Sequence, residues 1–264
     1  MNRLHARAVG TALALCCLVL VGGCSEDGSS SDSTGNDGTG SGRGGSTARM
    51  TIAGDYLYAI AGGDTVQLFD ITQPNAPNPW TRVRIEQGLE TLFPYGDYLL
   101  AGAEDGLYIL DNTDPAAPYY LADFRHARAR DPVVAAAGHA YVTLRSLDGG
   151  ETVTDQLDVI DLSDIASPRL IDTIPMQGPA GLDIERDGER RLFVCDSIAG
   201  IKVFDTTEPA QLRVLGTIRD VDCRDVIVEN GRLYAITDER LLQYDVTTLP
   251  ARLLSEVSAE DPPN

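Results

Sequence analysis

Five short apolar runs, each ending in Asp, set the rhythm of this chain: Val66 to Asp70, Leu107 to Asp111, Leu157 to Asp161, Ile201 to Asp205 and Leu241 to Asp245. The Asp residues are 41, 50, 44 and 40 positions apart. A turn rich in Thr, Ser and Pro follows each run, as in "NTDPAAP" after Asp111. Ahead of each run lies a second extended stretch, in most cases opened by a Gly turn: "GDYLYAI", "GDYLLAG", "GHAYVTL", "ERRLFVC" and "GRLYAIT". A short apolar piece precedes each of these ("MTIA", "TLFPY", "VVAAA", "LDIE", "VIVE"), and a further strand-like piece follows each Pro turn. No segment carries a helical period.

Four short strands in roughly 42 residues, repeated five times, is the period of a β-propeller blade. The sequence therefore predicts an all-β fold: a five-bladed β-propeller of four-stranded antiparallel blades. The third strand of a blade lies between its neighbours, which explains a run apolar on both faces instead of an alternating one. The Asp ends it because a carboxylate bonds turn N–H groups, and Pro removes a ladder donor where the chain must leave the sheet. Met50–Ala53 already supplies a first strand and the fifth repeat reaches Val257. Each blade is thus expected to be one contiguous repeat, the ring closing by blade-to-blade packing.

The five motifs resemble the LVIVD repeat of bacterial β-propeller proteins, best in Ile109-Leu110-Asp111, Val159-Ile160-Asp161 and "GLYILDNTDPAAP"; the fifth, with Gln243-Tyr244-Asp245, departs most. The resemblance covers residues 49–258. It implies a fold and supplies no catalytic residues. WD40 repeats have a similar period but expect Trp-Asp pairs, and this chain has one Trp, Trp80, with none. A β-sandwich with fortuitous periodicity is the other architecture the strand pattern admits.

Residues 1–23 stand apart. Arg3 and Arg7 precede an apolar stretch, Ala12 to Val21, which is too short for an ordinary membrane span. It runs into Val21-Gly22-Gly23-Cys24 and so resembles a bacterial lipoprotein signal, which implies cleavage before Cys24 and acylation of that Cys. Ser25 after it leans toward the outer membrane. Several acyl chains on one residue anchor stably, at about 0.8 kcal/mol per buried CH₂. Residues 24–48 are this Cys and a Ser/Gly/Asp-rich tether with almost nothing to bury. Residues 49–264 are the propeller. The expectation is an exported protein of the cell envelope, attached to a membrane only through its lipid, on the periplasmic or surface face.

Charge and chemistry narrow the function less. The chain has 21 Lys+Arg and 40 Asp+Glu, a net charge of −19. That disfavours nucleic acid and anionic lipid as partners and favours solubility, cations or basic proteins. At the starts of the first strands, Arg49, Glu90, Asp131, Asp183 and Asp225 align in one ring at the channel mouth. Four of the five are carboxylates. They would hold Ca²⁺ or another hard cation, with Glu90, Asp131, Asp183 and Asp225 as metal ligands, or form a channel-mouth site for a basic group, or accept backbone and Arg hydrogen bonds that staple blades together. Only His126 and His139 follow the signal, in no metal-ligand spacing, and no Gly-x-Ser-x-Gly elbow occurs. Cys195 and Cys223 remain as a disulfide candidate or as two buried thiols. An insertion at 145–156 lengthens the third repeat. Three functions remain: a binding or scaffold module that engages a protein or an envelope polymer, a propeller enzyme, such as a metal-assisted hydrolase or lyase, working at the channel mouth, and a purely structural component of the envelope.

Overall fold

The computed structural model describes residues 46–85, 88–125, 132–145, 155–185 and 190–258. They form a five-bladed β-propeller, each blade a four-stranded antiparallel sheet in sequence order. Blade 1 is β1 (Met50–Ala53), β2 (Tyr56–Ala61), β3 (Thr65–Asp70) and β4 (Asn78–Arg84). Blade 2 is β5 (Leu89–Tyr95), β6 (Tyr98–Ala103), β7 (Gly106–Asp111) and β8 (Tyr119–Arg125). Blade 3 is β9 (Val133–Ala136), β10 (His139–Leu144), β11 (Gln156–Asp161) and β12 (Arg169–Pro175). Blade 4 is β13 (Pro179–Ile184), β14 (Arg191–Asp196), β15 (Ile201–Asp205) and β16 (Arg213–Ile218). Blade 5 is β17 (Asp225–Glu229), β18 (Arg232–Ile236), β19 (Arg240–Asp245) and β20 (Arg252–Ser258). No strand is shared between repeats.

The recurring Asp performs one job five times. Its Oδ1 accepts the backbone N–H two residues on: Thr72 on Asp70 at 2.9 Å, Thr113 on Asp111 at 3.0 Å, Ser163 on Asp161 at 2.8 Å, Thr207 on Asp205 at 3.0 Å and Thr247 on Asp245 at 3.1 Å. A side chain from the fourth strand then takes Oδ2 in four blades: Tyr119, Arg169, Arg213 and Arg252. These turns fix the end of the propeller opposite the channel mouth described below.

Blades meet through aliphatic and aromatic faces. One buried cluster joins blades 1 and 2 (Tyr58, Leu68, Leu99, Leu110), a second joins blades 2, 3 and 4 (Ile109, Tyr141, Val159, Phe204), and a third joins blades 4 and 5 (Phe193, Val203, Leu233, Tyr244). Each junction repeats one pairing. A residue in the second strand of one blade meets the residue just after the Asp of the next. Tyr58 places its hydroxyl 2.9 Å from Asn112 Oδ1, and Tyr141 hydrogen-bonds Thr206. Leu100 shares a cluster with Leu162, and Phe193 with Val246. Polar meets polar and apolar meets apolar, which gives the buried Tyr58 and Tyr141 hydroxyls their partners. Blades 4 and 5 gain a further staple from Arg191, which pairs with Glu185 at 2.6 Å and donates to the Val246 carbonyl at 2.6 Å.

The seam between blade 5 and blade 1 differs. None of the three clusters crosses it. On blade 5 the face that would meet blade 1 holds Ile227, Tyr234, Ile236, Leu241 and Gln243, with Ile236 50% and Leu241 44% exposed. Ring closure by an apolar blade-to-blade core, expected from the sequence, is therefore absent at this one junction among the described residues. What ties it is polar: Thr47 Oγ1 donates to Asp225 Oδ2 at 2.5 Å, and Ser46 Oγ donates to Asp225 Oδ1 at 3.4 Å while accepting Leu182 N at 2.8 Å. Two residues on, the Ala48 carbonyl accepts Leu92 N of blade 2 at 2.8 Å. The segment leading into β1 thus links the inner strands of blades 4 and 5 to those of blades 1 and 2.

Candidate functional site

The inner strands, β1, β5, β9, β13 and β17, converge on a cavity of about 360 Å³ at one end of the channel. Residues from all five blades line it: Thr47 and Arg49, Glu90 and Thr91, Pro132 and Arg145, Pro179 to Gly181, and Arg224. Backbone bonds fix the walls. Gly181 N donates to the Arg224 carbonyl at 2.9 Å and Thr143 N to the Pro132 carbonyl at 3.2 Å. A glycine is required at 181, because a Cβ there would lie 1.9 Å from Asp225 Oδ1.

The strand registers show how the sequence ring is distributed. Met50, Leu92, Val133, Leu182 and Val226 oppose equivalent positions on their second strands, Ala59, Ala101, Val142, Val194 and Ala235. One residue upstream stand Arg49, Thr91, Pro132, Gly181 and Asp225, and one further upstream stand Ala48, Glu90, Asp131, Ala180 and Arg224. Arg49 and Asp225 therefore share a level, and Glu90 sits one residue earlier beside Arg224. Asp183 lies two residues deeper than Gly181. Among the described residues the ring does not form at one level. Gly54 and Gly96 take the first position of their turns and Gly231 the second, and β13 and β14 are joined by a longer connection, with Ile184 opposite Leu192 where Tyr95 faces Tyr98 and Glu229 faces Arg232. Counting from the following Gly with one-residue slips therefore misplaces Glu90 by one residue and Asp183 by two. Asp131, like His126 and Cys24, lies outside the described residues.

Two of the carboxylates are occupied structurally. Asp183 is 3% exposed. Its Oδ1 accepts Ile184 N at 2.9 Å and its Oδ2 accepts Val228 N of blade 5 at 2.8 Å. Asp225 accepts Thr47, Ser46 and its neighbour Val226 N at 2.9 Å. Burial pushes the Asp225 carboxyl above its ordinary pKa, and the hydrogen bonds only partly offset it. Neither side chain lines the cavity. Calcium takes six to eight oxygens, and carboxylates engaged with backbone N–H groups beside three lining arginines do not fit that demand. Among the described residues no group of three or more His, Cys, Asp or Glu side chains is placed to hold a metal ion.

The lining is instead rich in guanidinium groups. Arg224 is held by Asp238 through two bonds, Nε to Oδ1 at 2.8 Å and Nη2 to Oδ2 at 2.6 Å, with Asp222 Oδ1 3.5 Å from Nη1. That pairing raises its pKa still further. Arg49 and Arg145 have no ion-pair partner among the described residues. Arg145 was invisible to an argument built on first strands, since it follows the second strand of blade 3. Its only sequence signal is its place at the edge of the insertion at 145–156.

The same end of the propeller carries the disulfide candidate and the single Lys. Cys195 and Cys223 form a disulfide, with Cα atoms 5.5 Å apart, which joins β14 to the segment entering β17. Lys202, the single Lys of the chain, lies with Nζ 2.6 Å from Asp196 Oδ2. Asp196 is fully buried and its Oδ1 accepts Gln177 N and Gly178 N at 2.7 and 2.9 Å, which positions the chain as it passes from blade 3 to blade 4. His139 faces the opposite end, with Nδ1 3.0 Å from the Ala137 carbonyl.

No family model matches the sequence, and no curated protein matches it. Solved structures do. A functionally unknown protein from Desulfotomaculum acetoxidans superposes with a TM-score of 0.63 at 11% identity, over 79% of this chain and 68% of that one. The computationally designed protein Ika8 gives 0.57 at 12% identity over 79% and 60%, and AztD from Citrobacter koseri 0.57 at 14% over 78% and 61%. This chain spans about three fifths of the length of the last two. At such identities the likeness is one of fold, and the fold is the β-propeller.

Proposed function

We propose that the protein is an exported, lipid-anchored binding module of the cell envelope that engages its partner at the channel mouth. The observation that carries the reading is the concave cavity to which every blade contributes, with two arginines that have no carboxylate partner among the described residues. Sites on propellers are built where loops from several blades meet over a rigid scaffold. Signal, Cys24 and tether support the envelope placement: about two dozen Ser/Gly/Asp-rich residues reach roughly 25–30 Å root-mean-square, enough to hold the mouth clear of a membrane. The partner is a protein or an envelope polymer.

Site-specific photocrosslinking in the intact host tests this. A crosslinking side chain at Arg145 should give adducts, and one at Thr113, in a turn at the opposite end, should not. Adducts from Thr113 alone would overturn the reading. For the anchor, a Cys24→Ser variant should leave the membrane fraction or accumulate as precursor. Unchanged fractionation would remove the lipid from the proposal.

A further inference from the structure

We infer that the channel mouth binds an oxyanion, with the Arg49 and Arg145 guanidinium groups as its counter-charges and Arg224 as a fixed donor beside them. The inference rests on the mouth being the binding face and adds the chemistry of the ligand. Basic side chains are scarce in a chain with 21 Lys+Arg against 40 Asp+Glu. Most described arginines are committed to a carboxylate: Arg169 to Asp161, Arg191 to Glu185, Arg213 to Asp205, Arg240 to Glu256 and Arg252 to Asp245. Against that excess of acid, Arg49 and Arg145 line one cavity from blades 1 and 3 without a carboxylate partner among the described residues.

Two carboxylates that the sequence placed beside them, Asp183 and Asp225, are held elsewhere. Asp225 shares the level of Arg49, yet its oxygens accept Thr47, Ser46 and Val226 N, and Asp183 points its two oxygens at Ile184 N and Val228 N. Asp238 fixes the Arg224 guanidinium through Nε and Nη2, which leaves its Nη1 edge with only the longer Asp222 contact. A planar guanidinium matches a carboxylate or phosphate with two parallel N–H bonds, and such charge-assisted bonds are about twice as strong as neutral ones. In a concave site, where water is partly excluded, they gain further. A volume of about 360 Å³ is at the small end of ligand pockets and suits a monosaccharide-sized acid or the end of a polymer. Glu90 is the single described carboxylate on the wall.

Titration calorimetry on the full mature chain, at fixed ionic strength, tests the inference with three probes: D-glucuronate, inorganic phosphate and neutral D-glucose. Binding of glucuronate or of phosphate, with glucose silent, is the expected result. Glucuronate alone assigns a carboxylate ligand, and phosphate competing with it assigns a shared oxyanion site. Arg49→Ala and Arg145→Ala should each weaken binding by ~10-fold or more, the loss of a hydrogen bond to a charged group. Arg82→Ala, on an exposed outer strand, should leave it unchanged. No binding of either anion at concentrations on the order of 10 mM, equal binding of glucose, or affinity indifferent to both mouth substitutions would overturn it. Crosslinks from Arg145 without anion binding would discard the oxyanion and keep the binding module. Anion binding without crosslinks would do the reverse.

Discussion

The junctions inside the propeller and the seam that closes it are built from the same blade surface with opposite outcomes. On blade 1 that surface holds Tyr58, Val66 and Leu68, all fully buried against blade 2. On blade 5 the same positions hold Tyr234, Leu241 and Gln243, and they face solvent. Two substitutions explain the difference. Gln243 stands where the other four blades carry Leu68, Ile109, Val159 and Val203. Ile71 follows the Asp of blade 1, so Tyr234 would meet an apolar side chain where Tyr58 and Tyr141 meet Asn112 and Thr206. A buried hydroxyl without a partner costs about 1–3 kcal/mol. Packing blade 5 on blade 1 would incur that cost and gain less apolar burial in return. The polar link through Ser46, Thr47 and Asp225 takes its place.

The largest effect should come from removing the same residue type from equivalent positions on the two surfaces. Leu107→Ala, in a side chain 1% exposed, should cost about 2–5 kcal/mol of stability. Leu241→Ala, 44% exposed, should cost less than about 1 kcal/mol. Denaturant titration of both variants decides it; equal losses would mean that the seam is packed after all.

Next in size is the disulfide at the junction of blades 4 and 5. Its sequence separation of 28 gives about 3 kcal/mol on the chain-entropy model. The Cys195→Ser/Cys223→Ser double variant should show that loss, and reduction of the wild type should match it. Alkylation of two thiols in native exported protein would exclude the bond.

A smaller contrast separates the two tyrosines. Tyr58→Phe deprives Asn112 of a buried partner and should cost about 1 kcal/mol. Tyr234→Phe, in a side chain 37% exposed, should fall within about 0.5 kcal/mol of wild type. Similar losses would break the pairing rule proposed for the junctions.

The smallest effect is a pH dependence of opposite sign at the two ends of the propeller. Asp161, Asp205 and Asp245 titrate at about 2. Hydrogen bonds from Ser163, Thr207 and Thr247 lead the causes, and Arg169, Arg213 and Arg252 add to them. Their folded pKa values lie below the ordinary 3.8, so the stability they contribute is present above that value and is lost as pH falls toward 2. Asp225 is shifted upward by burial, so its contribution is present below 3.8 and is lost as pH rises through its folded pKa. Asp225→Asn stays neutral throughout. Thermal melts should show it gaining on wild type near neutral pH and losing that advantage in mild acid. A difference that ignores pH would remove burial as the cause.

Much of this was legible in one dimension. The period of the Asp-terminated runs determined the strand order, the blade count and the turns, because strand, turn and register signals are local and repeat five times. The apolar run "LYILD" announced a strand covered on both faces. In "LLQYD" a polar residue, Gln243, interrupts the run; the sequence showed it as a departure from the repeat, and only the structure shows that its face meets no blade. Sequence also brought Cys195 and Cys223 to the same end of neighbouring blades. What it could not resolve was the mouth. The turns after the first strands differ in length and in where their Gly falls, so Glu90 and Asp183 come to different depths, and spacing from a Gly does not show which turn position that Gly holds. Whether a carboxylate meets a cation, a hydroxyl or a backbone N–H depends on atoms more than a hundred residues away, as with Thr47 and Asp225. Arg145 reaches the cavity from just beyond a second strand, and only the assembled ring of blades brings it to the cavity that Arg49 also lines. Local patterns specify each blade, whereas the charge of the central cavity is a sum over all five and exists only once they are assembled.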